Sequence, residues 1–176
     1  MSEPDTSRKA IRKIPDVEVA TYLASVRERL RGAGFADEAP PEGSILKARR
    51  RELKLSRFGI VETVVVISSR LSELDADQLR AFGAESVGSA LEGKARLPRG
   101  FGSSLVVYPV FLVAAISDEM RRFAEAYVPK HWAIVEFPVL VELTAQTLVV
   151  ATKTPVWGVA YYRKTRREAR DLFAPV

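Results

Sequence analysis

Cysteine is absent from the 176 residues, which excludes disulfides, iron–sulfur clusters, thiolate zinc and a cysteine nucleophile. The single histidine, His131, leaves no basis for a zinc site of the usual nitrogen/sulfur kind. Long hydrophobic runs are missing too. The longest, Leu105 to Ile116, has 12 residues and contains Pro109, whereas a bilayer requires roughly 20. Residues 1–15 are polar, with Arg8, Lys9, Arg12 and Lys13 and no apolar segment of the secretory type. A cytoplasmic chain with no membrane association is expected, and no cofactor is implied.

What remains is the composition of an ordinary globular chain, 47% hydrophobic and 28% charged. A chain this long buries roughly 70% of its unfolded surface around one core. The reading is one domain over 15–176, preceded by a disordered basic arm over 1–14.

The net charge of +5 is less informative than its distribution. Residues 43–60 carry six cations (Lys47, Arg49, Arg50, Arg51, Lys54, Arg57) against Glu52, a net +5. Residues 161–171 carry Arg163, Lys164, Arg166, Arg167 and Arg170 against Glu168 and Asp171, a net +3, and residues 94–99 add another +3. Residues 16–42 sum to −3 and residues 61–93 to −4. This segregation predicts a basic and an acidic surface.

The hydrophobic periodicity predicts the order αββαβαββα. A first helix over 16–31, with Asp16 near its N-cap just after Pro15, has the stripe Val19, Tyr22, Leu23, Val26 and Leu30. Pro40, Pro41 and Gly43 make 35–44 a loop. Strands follow at 45–56 and 59–68. The second is apolar on both faces and therefore central, while the first has arginine on both faces and is placed at the sheet edge. A helix over 76–92 opens on the capping-box pair Asp75 and Gln78, and its small residues Gly83, Ser86, Gly88 and Ser89 predict a close neighbour. A strand over 104–115 leads through Ser117 into a third helix, stopped by Pro129. Strands over 131–142 and 146–151 and a helix from Thr154 to about Phe173 complete the chain. The fold class is α+β, a mixed five-stranded sheet with helices packed on it. Strand–helix–strand units supply parallel pairs, and hairpins supply antiparallel ones.

Tyr108-Pro109-Val110 and Phe137-Pro138-Val139 place the same unit at similar points of consecutive strands. Proline donates nothing to a ladder, so each site requires an edge or a bulge.

The leading functional reading is a non-enzymatic protein that binds a polyanion, most of all nucleic acid. Arg49, Arg50, Arg51, Lys54 and Arg57 would converge with Arg163, Arg166, Arg167 and Arg170, because guanidinium forks hold phosphate and never lose their charge. Edge-strand charges that block aggregation and cations that offset a helix dipole are the ordinary alternative. A second reading takes Glu52-Leu53-Lys54, with Glu62 on the facing strand, as a Mg²⁺-dependent phosphodiesterase site. A third is a protein-interaction subunit that pairs through its acidic or edge-strand surface, and the basic clusters could also meet an acidic protein. Weaker constellations complete the inventory. The loop Pro98 to Ser104 could cradle an anion but enters a strand rather than a helix. His131 would need Ser103 or Ser104 as nucleophile and Asp118 as acid. Trp132, Trp157, Tyr161 and Tyr162 would wall a small-molecule pocket or simply join the core.

Overall fold

A computed structural model describes residues 14–54, 59–69, 71, 73–92, 103–129, 131, 133–153 and 159–175, without the side chains of 54, 103 and 159–161. The elements in chain order are α1 (Asp16–Gly32), β1 (Ala36–Glu38), β2 (Ser44–Lys54), β3 (Gly59–Ser68) and α2 (Ala76–Glu92). They continue with β4 (Ser103–Val113), α3 (Asp118–Ala126), β5 (Ile134–Glu136), β6 (Val139–Glu142), β7 (Thr147–Val150) and α4 (Val159–Phe173). Seven strands form one mixed sheet in the order β1-β2-β3-β4-β6-β7, with β5 also on β4.

The expected five strands become seven for two separate reasons. First, Ala36–Glu38, expected as loop, pairs antiparallel with β2 through Ala36↔Arg49 and Glu38↔Lys47. Its sequence, Ala-Asp-Glu, has no strand pattern. Charge attracts it instead: Glu38 bonds Arg49 and Lys47 of the strand beside it. β2 is therefore covered over 47–49 and is not an edge there. Second, the strand expected over 131–142 is broken at Phe137-Pro138. β4 pairs with β5 up to Val107↔Glu136 and with β6 from Val110↔Val139, with the same offset on both sides. The paired prolines thus delete ladder bonds without the extra residue of a bulge.

Several local expectations hold at atomic detail. At the start of α2, Gln78 N donates to Asp75 Oδ1 at 2.7 Å and Asp75 N donates to Gln78 Oε1 at 3.0 Å, the reciprocal capping box. Ser117 Oγ accepts from Met120 N at the start of α3. At α1 Pro15 holds the N-cap position with no side-chain bond and Asp16 beside it is the first helical residue. The expected cap of α4 at Thr154 lies outside the described residues. So do residues 1–13, and Ile14, assigned to the arm, is buried in the core.

Alternation along the strands sorts side chains to two faces. Val61, Val65 and Ile67 of β3 and Val106, Tyr108, Val110 and Leu112 of β4 meet Tyr22, Val26 and Leu30 of α1 and Tyr162, Ala169 and Phe173 of α4. On the other face Val64, Val66, Leu105 and Val107 meet Val87 and Ala90 of α2, and Leu140 and Val149 meet Met120 and Ala124 of α3. The result is three layers, with α1 and α4 on one side and α2 and α3 on the other. Both helices on the α2 side connect parallel strands, as same-handed crossovers require. Among the described residues no helix is long and apolar enough to cross a membrane.

Candidate functional site

The two basic segments meet different fates, and strand alternation decides which. Arg49 and Arg51 of β2 pair in register with Val64 and Glu62 of β3 and point to the α2 face. There Arg49, 6% exposed, bonds Glu62 Oε2 at 3.0 Å, Glu38 Oε1 at 2.5 Å and the Ala90 carbonyl at 3.0 Å. Arg51 Nε bonds the other Glu62 oxygen at 3.0 Å. Lys47 Nζ reaches Glu38 at 3.1 Å and the Ser89 carbonyl at 3.1 Å. These cations therefore cap the carbonyl end of α2, where the helix dipole is negative, and neutralise two carboxylates. Burial pushes the Glu38 carboxyl up, but the bonds and charges of Arg49 and Lys47 outweigh it and hold the group below its usual range.

Arg50 points to the opposite face and is equally engaged. It bonds Glu168 of α4, lies 3.2 Å from Glu52, donates to the Ala33 carbonyl at 3.1 Å and sits over the Phe35 ring. Tyr108 OH donates to the second Glu168 oxygen at 2.8 Å, so this cluster ties α4 to the sheet. The cationic tract expected from β2 and α4 is thus not continuous, because the arginines of β2 divide between two faces and are consumed by carboxylates. Arg57 and the Lys54 side chain lie outside the described residues.

The Mg²⁺ constellation is not assembled either. Glu52 lies on the α1–α4 face with Arg50, and Glu62, only 1% exposed, lies on the α2 face between two arginines. The sheet separates the two carboxylates. Among the described residues no group of three or more potential ligands is arranged for a metal.

On α4 the basic residues remain at the surface. Tyr162, Thr165, Ala169, Leu172 and Phe173 form its buried stripe, which leaves Arg163, Lys164, Arg167 and Arg170 exposed. An open cleft of about 360 Å³ is lined by Arg163, Arg166, Arg167, Arg170 and Asp171. Arg166 turns back to the sheet and donates to the carbonyls of Ala151 at 2.8 Å and Thr152 at 2.9 Å. Burial and the nearby Arg170 charge both lower its pKa. Among the described residues Arg163, Arg167 and Arg170 have no hydrogen-bond or ion-pair partner. They form one ridge at i, i+4 and i+7, about 10 Å long.

The expected aromatic pocket is not formed by Tyr162, which is 2% exposed and packs in the core against Phe137. Trp132, Trp157 and the Tyr161 side chain lie outside the described residues, as does most of the loop Pro98 to Ser104. His131 has a carboxylate partner that the sequence did not single out: its Nε2 lies 2.8 Å from Glu136 Oε2. Asp118, the acid first considered, sits exposed at the start of α3.

No family model, curated protein or solved structure matches this chain.

Proposed function

We propose that the protein binds a polyanion, nucleic acid foremost, through the outer face of α4 alone. The reading is supported by one observation: three arginines on one helical ridge, exposed and without partners among the described residues. A helix dipole accounts only for Arg170, the sole cation in the last turn. Like charges at i and i+4 repel by roughly 0.2–0.5 kcal/mol, so Arg163 and Arg167 carry a small stability cost that a bound anion would relieve. Phosphate is the matching chemistry, because a guanidinium donates two parallel hydrogen bonds to one phosphate. Backbone contacts of this kind position a protein on nucleic acid without reading its sequence.

The test is fluorescence anisotropy of labelled single- and double-stranded oligonucleotides at about 50 mM salt, where phosphate contacts are strong. Binding is expected for the wild type and is lost when Arg163, Arg167 and Arg170 are all replaced by Ala. Absence of wild-type binding to either form would refute the proposal. Arg166 is left in place, since removing it would unpair two carbonyls at the end of β7 and confuse binding with folding.

A further inference from the structure

The opposite side of the sheet holds a titratable pair that polyanion binding does not use. Glu136 closes β5 at the point where the prolines interrupt the ladder, and it faces α2 with Leu105, Val107 and Ile134. It is 3% exposed. A Cβ on Gly83 of α2 would stand 2.1 Å from Glu136 Oε1, so the helix approaches closely only because that residue is glycine. This is the close neighbour that the small side of α2 predicts. Oε1 itself is buried without a hydrogen-bond partner among the described residues, and so is Ser86 Oγ one turn along α2. Burial raises the Glu136 pKa, opposed by the hydrogen bond and charge of His131.

A buried carboxyl with half of its acceptor capacity unused destabilises a fold. Its one engaged oxygen is turned to the only histidine of the chain. The His131 side chain is 36% exposed, and its Nδ1 has no partner among the described residues. Ala133, two residues on, adopts φ +57°, and the chain folds back so that His131 bridges Ile134 and its ring reaches Glu136. When an ionised carboxylate accepts from Nε2, a neutral ring keeps its lone pair on Nδ1.

We propose that His131 is a general base and Glu136 its positioning residue, acting on a ligand that presents a hydroxyl or a water at the surface beside His131. Nδ1 takes the proton, the O–H electron pair stays on the ligand oxygen, and the Nε2 proton stays on the ring, donated as a hydrogen bond to Glu136 Oε2. The imidazolium charge is thereby met by a carboxylate already in place. Among the described residues Tyr127 after α3 feels the pair, its pKa raised by burial and by the Glu136 charge, while Arg80 of α2 acts on Tyr127 in the opposite direction. The β4 neighbour, Val107, is apolar. This site and the α4 ridge lie on opposite faces of the sheet, so either can fail without the other.

Because the chain has one histidine, diethyl pyrocarbonate reports on Nδ1 directly: the ring displaces ethyl carbonate and becomes N-carbethoxyimidazole. His131 is expected to react several-fold faster than N-acetylhistidine at the same pH, and Glu136→Gln to lose that advantage. The wild-type rate–pH profile should also carry the Glu136 ionisation, which the Gln variant lacks. Gly83→Ala, which keeps Glu136 but displaces Oε1, should lose the advantage as well. A wild-type ring no faster than N-acetylhistidine overturns the proposal even if both variants fail to fold. So does a Gln variant that folds and keeps the wild-type rate and profile.

Discussion

Arg49 of β2 and Arg167 of α4 are the same residue type in segments of the same sign of charge, yet their surroundings are opposite. Arg49 is buried, holds two carboxylates and closes the end of a helix. Arg167 is exposed and holds nothing among the described residues. A cluster of cations in a sequence therefore states only how much charge is available. Whether that charge is spent on the fold or kept for a partner depends on where the acids lie in space.

Truncating one arginine in each region separates the two roles. Arg49→Ala leaves Glu62 and Glu38 short of a cation and uncaps the Ala90 carbonyl. It should cost about 3–5 kcal/mol, read as a lower denaturant midpoint. Arg167→Ala should stay within about 0.5 kcal/mol of the wild type. Equal costs at the two sites would erase the distinction.

A smaller effect separates a glycine kept for space from one that is merely tolerated. Gly83→Ala should destabilise by about 1–3 kcal/mol through its clash with Glu136, although glycine-to-alanine in an open helix gains about 0.5–1 kcal/mol. Combining it with Glu136→Ala should recover most of the loss, a coupling visible in a double-mutant cycle.

Titration separates two carboxyls whose shifts have opposite signs, the half-buried Glu38 and the buried Glu136. Glu38, held below its usual pKa, contributes stability that is present above about pH 4.3 and is lost as pH falls through its folded-state value. Glu136, raised by burial, does the reverse: stability is greatest below the ordinary carboxylate pKa and declines as pH rises toward its folded-state value. Urea denaturation across acidic pH should therefore show Glu38→Gln approaching wild-type stability on acidification, and Glu136→Gln gaining on the wild type as pH rises.

Much of the fold is legible in the sequence because the signals are local. The apolar run Ile60 to Ile67, the Asp75–Gln78 capping box and the Ser117 cap each lie within a few residues, and each forms as expected. The strand β1 is not legible, because Ala-Asp-Glu pairs through the charges of β2 rather than through its own pattern. The site is harder still. Arg50 meets Glu168 across 118 residues of sequence, and no spacing rule reaches that far. Even His131 and Glu136, five residues apart, depend on the left-handed turn at Ala133, a conformation alanine seldom adopts.

The most direct test is the slope of log affinity against log salt for a duplex oligonucleotide, measured on three proteins. Three phosphate contacts give the wild type a slope near −2.7, or roughly a 40-fold loss of affinity between 50 and 200 mM salt. Arg51→Ala, in β2, should keep that slope, and the triple alanine variant at Arg163, Arg167 and Arg170 should show no binding even at about 50 mM salt, the lower end of the range. A triple variant that binds with the wild-type slope, or an Arg51→Ala protein that loses it, would contradict the assignment of the free charge to α4.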